Sequence, residues 1–278
     1  MSQHTLPTTT DTAANYLVPN TPQSKSPASP STFTTHPALT PYQIPSSGYL
    51  AAHPTITYNN QAFPIRHLAV GAIVITPPAT TTTFPAPTLQ PPPSSTSTSS
   101  SPPLEPTPKV LLLRRAPTDS MPNLWEVPGG AVDPTDPTIL HAVARELFEE
   151  SGLTAAHVGP IVGGTASRDP ACSDEGAPAQ VFLTRSGNLV GKWHFLVGVR
   201  EVDMSGVRCD PEEHSAFVWA TEAEVEGGVV AGGKMEIPFT TRDQRRAVLE
   251  GFRVWRAVGA QAQAQDQDQD QEAPALGK

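Results

Sequence analysis

Charge is scarce in this sequence, and so is cysteine. Of its 278 residues only 16% are Asp, Glu, Lys or Arg, and before Lys109 the formally charged ones are Asp11, Lys25, Arg66 and Glu105. A stretch so poor in charge and so dominated by Pro, Ser and Thr buries too little apolar surface to offset a backbone ordering cost of roughly 1–2 kcal/mol per residue. With 32 prolines in the chain, one folded domain with disordered flanks is expected rather than the two domains that length alone suggests. Cys172 and Cys209 stand far apart with no CxxC spacing, which argues against a thiolate zinc site or a disulfide framework and leaves two reduced thiols. No run approaches the roughly 20 apolar residues of a membrane helix, and the N-terminus lacks the basic-then-apolar order of a signal peptide. A cytoplasmic or nuclear protein without a membrane partner is therefore expected. The net charge of -9 argues against a nucleic-acid polymer as partner, since a phosphate backbone calls for a basic face. An acidic protein that handles phosphates needs a metal ion to do so.

What is present is an ordered middle. "RHLAVGAIVI" (66–75) and "KVLLLRRA" (109–116) are apolar runs of strand length, rich in β-branched and aliphatic residues. The Pro/Ser/Thr-rich segment between them reads as an insertion joining neighbouring strands, since the loop-closure cost rises by only about 0.6 kcal/mol per doubling of length. "GKWHFLVGVREV" alternates, with Trp193, Phe195, Val197 and Val199 on one face and His194, Leu196 and Arg200 on the other. "SAFVWAT" (215–221) is a further strand, and Thr221 with Glu224 has capping-box spacing. Thr241 and Gln244 repeat that spacing before a final helix with Val248, Leu249, Phe252 and Trp255 on one stripe. Strands, helix, strands, helix predict a mixed α/β or α+β domain over 61–258, with a low-complexity insertion at 79–108. Residues 1–60 are expected to be a disordered extension, and 259–278 a solvated Gln/Asp-rich tail.

The informative stretch is "GGAVDPTDPTILHAVARELFEESGL", residues 129–153. Asp136 followed by Pro137 reads as an N-cap with proline at the first helical position, and Gly152 as the C-terminal stop, so a helix over 137–151 is predicted. Ile139, Leu140, Val143 and Leu147 cluster on one side of it, and Glu150 falls in that apolar sector. A solvated face accounts for Arg145 and Glu149, an i,i+4 pair worth about 0.3–0.5 kcal/mol. It does not account for Glu150, because a carboxylate among apolar residues must be protonated or held by a cation. Glu146, Glu149 and Glu150 can converge on a hard divalent ion at one helix end, and carboxylate oxygens with substrate phosphates are what magnesium prefers.

These residues resemble the Nudix box, G-x5-E-x7-R-E-U-x-E-E-x-G-U with U a bulky apolar residue. Gly130, Arg145, Glu146, Leu147, Glu149, Glu150, Gly152 and Leu153 match, and "LLLRRAP...NLWEVPGG" is similar to the approach into that box. There is one departure: one extra residue separates Gly130 from Arg145, and the pattern's first glutamate falls on Asp136, which is assigned to capping. The resemblance implies a Nudix fold, a mixed β-sheet sandwiched between helices. It implies hydrolysis of a pyrophosphate bond in a nucleoside diphosphate linked to another moiety, with Mg²⁺ or Mn²⁺ as cofactor and often a homodimer. Glu149 and Glu150 are then metal ligands, Glu146 a ligand or the general base, and Arg145 the residue holding a neighbouring glutamate. The Gly129 carbonyl completes the coordination, with Gly130 allowing close backbone approach. A further acid from a distant loop completes such sites, and Glu212 and Glu213 are the candidates. His194 and His214 are read as structural or surface residues, and Trp125 as core. The alternatives are a Nudix-fold module that binds a nucleotide or a protein without turning it over, and a proline-rich segment docking onto an SH3 or WW module. "RDPACSDEGAPAQ" (168–180) falls where substrate choice is often set and matches no specific cue.

Overall fold

The apolar runs become inner strands of a mixed sheet. A computed structural model describes residues 32–58, 61–76, 107–163, 178, 180–184, 188–230 and 232–272. In chain order these form β1 (Thr34–Thr35), α1 (Ser46–Ala52), β2 (Thr55–Tyr58), β3 (Gln61–Pro64), β4 (His67–Ile73), β5 (Lys109–Arg115) and β6 (Trp125–Glu126). There follow α2 (Ile139–Ser151), β7 (Ala155–Val162), β8 (Gln180–Leu183), β9 (Leu189–Val199), β10 (His214–Thr221), α3 (Glu222–Gly227), β11 (Val229–Val230), β12 (Met235–Glu236) and α4 (Arg242–Glu272).

The main sheet has the order β1-β7-β9-β4, and β8 also pairs with β9. β4 runs parallel to β9, whereas β7 and β8 run antiparallel to it. A second, antiparallel sheet has the order β10-β5-β6. The two sheets join where β4 leads into β5: the Leu111 N–H donates to the Val74 carbonyl at 3.0 Å and the Thr76 N–H to that of Lys109 at 2.9 Å. The chain between them thus leaves and re-enters at adjacent strand ends, and most of the 79–108 segment lies outside the described residues.

Helices cover both faces of the main sheet. Ile139, Leu140, Val143 and Leu147 of α2 pack with Trp193, Phe195 and Val197 of β9, while Val248 and Phe252 of α4 pack with Ile73 and Leu196. The alternation in β9 therefore separates two buried faces, as expected of a central strand with helices on either side. Burying each large side chain of this core contributes roughly 1.5–3 kcal/mol.

Parts of both flanks are among the described residues. Part of the 1–60 extension is built into the domain: Leu39, Tyr42 and Tyr49 are buried in the same core as α2. Tyr42 and Tyr49 stack at 5.5 Å, and Tyr49 meets Trp193 edge-on at 5.4 Å. A few large apolar side chains suffice to cover the aromatic face of β9, and a composition averaged over many residues conceals them. At the other end, α4 runs beyond Val258 through Glu272. Ala and Gln are adequate helix formers, and extending a helix costs far less than nucleating one. Among the described residues no helix is long and apolar enough to cross a membrane.

Candidate active site

α2 carries its acids to the edge of the main sheet, where the chain from Pro128 to Val132 lies along β4. The Val70 N–H donates to the Gly130 carbonyl at 2.9 Å and the Ala72 N–H to that of Pro128 at 2.8 Å. This close approach accounts for Gly129, while Gly130 lies against the Glu146 carboxylate. At Gly129, φ is +152° and a Cβ would fall 2.2 Å from the Val70 carbonyl oxygen; at Gly130 it would fall 2.7 Å from Glu146 Oε2.

The start of α2 differs from expectation. The helix begins at Ile139, and Thr138 rather than Asp136 caps it by accepting from the His141 N–H. Asp136 is buried and serves Arg145 instead, its oxygens accepting from Arg145 Nε at 3.0 Å and Nη2 at 2.9 Å. Guanidinium geometry favours this two-point contact over the single backbone bond of a cap. Arg145 also donates to Glu146 Oε1 at 2.8 Å, to Glu149 Oε2 at 3.0 Å and to the Ala131 carbonyl at 3.0 Å. The hydrogen bond to Asp136, with Glu146 adding its charge, raises the guanidinium's already high affinity for its proton.

Glu150 is buried at 5% exposure, and its Oε2 accepts from the Gly129 N–H at 2.6 Å. Burial pushes its pKa well above the usual carboxylate range, and the charges of Glu146 and Glu126 push the same way. Glu146 is also raised by burial, against the opposing pull of Arg145. Glu149 is half exposed and is held by Arg145.

The turn after Cys209 brings Glu213 and His214 to this helix end. Ligand atoms of Glu150, Glu213 and His214 lie within 4.8 Å of one another. Glu212 is not in that group; it is exposed, and its N–H donates to Asp210 Oδ1. His214, read from sequence as structural or surface, is buried with its Nδ1 4.0 Å from Glu150 Oε1 and its Nε2 3.4 Å from Glu126 Oε1. Glu126 is a site residue that sequence reasoning misses. Burial would raise its pKa, but the His214 hydrogen bond together with Lys192 and Arg115 outweighs that and holds it below the usual range. A glutamate next to Trp125, which is itself fully buried, is the one signal the sequence offers for it.

Beside the acids opens a cavity of about 520 Å³, lined by Arg115, Glu126, Gly129, Gly130, Lys192 and Gln244 among others. His194, expected to be structural or surface, is completely buried behind Gln244, with Nε2 3.3 Å from Gln244 Oε1; burial pulls its pKa down to about 3, so the ring is neutral. Most of the 168–180 segment lies outside the described residues, but Gln180 lines the cavity. Cys172 lies outside them as well, and Cys209 is buried.

Residues 102–237 match the family model for the NUDIX domain. No curated protein matches the chain in sequence. Among solved structures, the MutT protein from Methanosarcina mazei Go1 is similar at 21% identity over 67% of this chain and 93% of that one, with a TM-score of 0.40. The Nudix hydrolase RenU from M. smegmatis is similar at 16% identity over 81% and 98%, with a TM-score of 0.40. The NUDIX domain of Shewanella oneidensis NrtR, complexed with ADP ribose, is similar at 19% identity over 76% and 98%, with a TM-score of 0.39. The domain match spans β5, the acidic helix α2 and the Glu213–His214 turn, so this chain carries a NUDIX domain over residues 102–237, with the Nudix fold.

Proposed function

We propose that the protein hydrolyses a pyrophosphate bond in a nucleoside diphosphate linked to another moiety, using Mg²⁺ or Mn²⁺. The observation that carries this reading is the meeting of Glu150 with Glu213 and His214, ligand atoms within 4.8 Å, beside a cavity large enough for a nucleotide-sized group. The donor set fits the ion. Carboxylate oxygens suit Mg²⁺ and Mn²⁺, and a carboxylate as buried as Glu150 among like charges calls for a cation. Glu149 and Glu150 would hold it with Glu213 and the Gly129 carbonyl as further ligands, leaving Glu146 for the general-base alternative. When bound, such an ion neutralises phosphate charge and orients a water.

The chain's own residues do the rest. Arg145 fixes Glu146 and Glu149 relative to Asp136 and the Ala131 carbonyl, so the acids are positioned before substrate arrives. Glu146, with its proton affinity raised by burial, is suited to take a proton from the attacking water at a carboxylate oxygen.

The test is incubation of the purified chain with ADP-ribose, NADH, coenzyme A, diadenosine polyphosphates and oxidised nucleotides, with Mg²⁺ or with EDTA, beside Glu149→Gln. Metal-dependent release of a mononucleotide, lost in the variant, is the expected result. A folded wild-type protein that turns over none of them with either metal would sink the proposal in favour of a binding role. The proline-rich stretches proposed to meet SH3 or WW modules lie mainly outside the described residues.

A further inference from the structure

The cavity holds an ammonium group with no carboxylate at ion-pair distance among the described residues. Lys192 sits on β9, is only 7% exposed, and lines the cavity. Strand register explains its placement: it lies opposite Ala69 of β4 and Gln180 of β8, and alternation puts it on the sheet face away from Trp193. The nearby acids are engaged elsewhere. Glu126 pairs with Arg115 and His214, while Glu146 and Glu149 pair with Arg145. Glu126 and Glu150 both feel the Lys192 charge, but neither comes within ion-pair distance of it among the described residues. Only the stem of Lys192 is covered: its ammonium faces the cavity and is not among the buried nitrogens left without a partner, so an anion entering the cavity can reach it.

We propose that Lys192 is a phosphate anchor that binds the substrate independently of the metal. It would grip a phosphate from the sheet side of the cavity, while the acids of α2 and the Glu213 turn face the same phosphates through the ion. The proposal rests on the hydrolase reading for its choice of anion. A compact ammonium acts on a phosphate as a point charge and needs no fixed fork geometry. The arginine that lines the cavity among the described residues, Arg115, is already bound to Asp119 and Glu126 and has less charge to offer.

The experiment is titration of the full chain with inorganic pyrophosphate in EDTA, followed by calorimetry, for wild type, Lys192→Met and Lys192→Gln. The melting temperature of each is measured in the same buffer. Wild type is expected to bind, and both variants to bind at least tenfold more weakly while still unfolding cooperatively in that buffer. The melting curves separate an anchor from a structural lysine, since loss of an anchor shows as lost pyrophosphate affinity in a protein that is still folded. Unchanged pyrophosphate affinity in the variants, no binding by wild type, or weaker binding only in variants that no longer unfold cooperatively would each overturn the anchor. Failure of the hydrolase reading looks different: wild type then binds pyrophosphate through Lys192 yet cleaves no pyrophosphate-linked nucleotide with Mg²⁺. If wild type is an active hydrolase and Lys192→Met leaves both KM and pyrophosphate affinity unchanged, only the anchor fails.

Discussion

Glu150→Gln is expected to make the metal-free protein more stable and the enzyme nearly dead. The amide is the same size as the carboxylate, and its oxygen can still accept from the Gly129 N–H, the bond that spans 2.6 Å in the wild type. What disappears is a buried negative charge whose neighbours include Glu146 and Glu126, both acidic. Removing it lifts a desolvation penalty of about 1–3 kcal/mol. For a domain of this size that raises the melting point by roughly 2–4 °C per kcal/mol. The metal-dependent part of stability should move the other way. An ion at 100 times its Kd stabilises the wild type by about 2.7 kcal/mol, and the variant should lose most of that along with its activity. The assay is thermal unfolding of both proteins in EDTA and in a Mg²⁺ or Mn²⁺ series, with hydrolysis measured on the same samples. A variant that melts below wild type in EDTA and keeps the full metal-induced shift would refute the reasoning, because Glu150 would then be a structural carboxylate.

Acid should weaken the fold through His194. Its folded pKa is about 3 against 6.5 unfolded, so below pH 6.5 the unfolded chain takes up the proton first, and the stability present above that pH is lost progressively toward pH 3. By pH 5 the loss is about 2 kcal/mol; denaturant unfolding at pH 7.5 and 5 checks it, and His194→Leu should remove this component of the slope. Arg145→Lys keeps the charge but cannot reach Asp136, Glu146, Glu149 and the Ala131 carbonyl together. A fall of about 10²-fold in kcat with KM little changed is expected, and equal kinetics would show that the acids need no such brace. Tyr49→Ala should cost about 3–5 kcal/mol in urea unfolding, as for other large aromatic truncations; a loss below about 1 kcal/mol would mean the segment before Gln61 is not part of the core.

Much of the site is legible in the sequence because its signals are local. Glu150 in the apolar sector of α2 is visible from helical periodicity alone, and the Arg145–Glu149 pair from i,i+4 spacing. The flanking strands are legible from apolar runs and alternation. What escapes depends on contacts distant in sequence. Glu126 and His214 are far apart in the chain and meet only because β10 and β6 both pair with β5. Lys192 looks like one polar residue in an alternating strand, and nothing local reveals that β8 and β4 flank it on the cavity side. Tyr42 and Tyr49 are hidden for a different reason. Their neighbourhood reads as low-complexity, yet an aromatic surface on β9 needs covering, and only the fold shows that surface.

The same distinction explains why an extra residue before Arg145 need not disturb the acids. The segment from Asp133 to Thr138 absorbs it through bonds of its own. The Asp133 N–H donates to Asp136 Oδ2 at 2.8 Å, and the Thr135 N–H and hydroxyl both donate to Asp133 Oδ1 at 2.7 Å. Asp136 is thereby held where its carboxylate meets the Arg145 guanidinium, and Thr138 takes over the capping that Asp136 would otherwise have done. From Arg145 onward the spacing of Glu146, Glu149 and Glu150 is set by the helix, whose geometry does not register what precedes its first turn. A loop can therefore lengthen on one side of Arg145 while the carboxylates on the other stay in register, provided the loop still delivers an acid to the guanidinium. In this chain Asp136 is that acid, so the departure from the pattern alters how the helix is entered and leaves its acidic end intact.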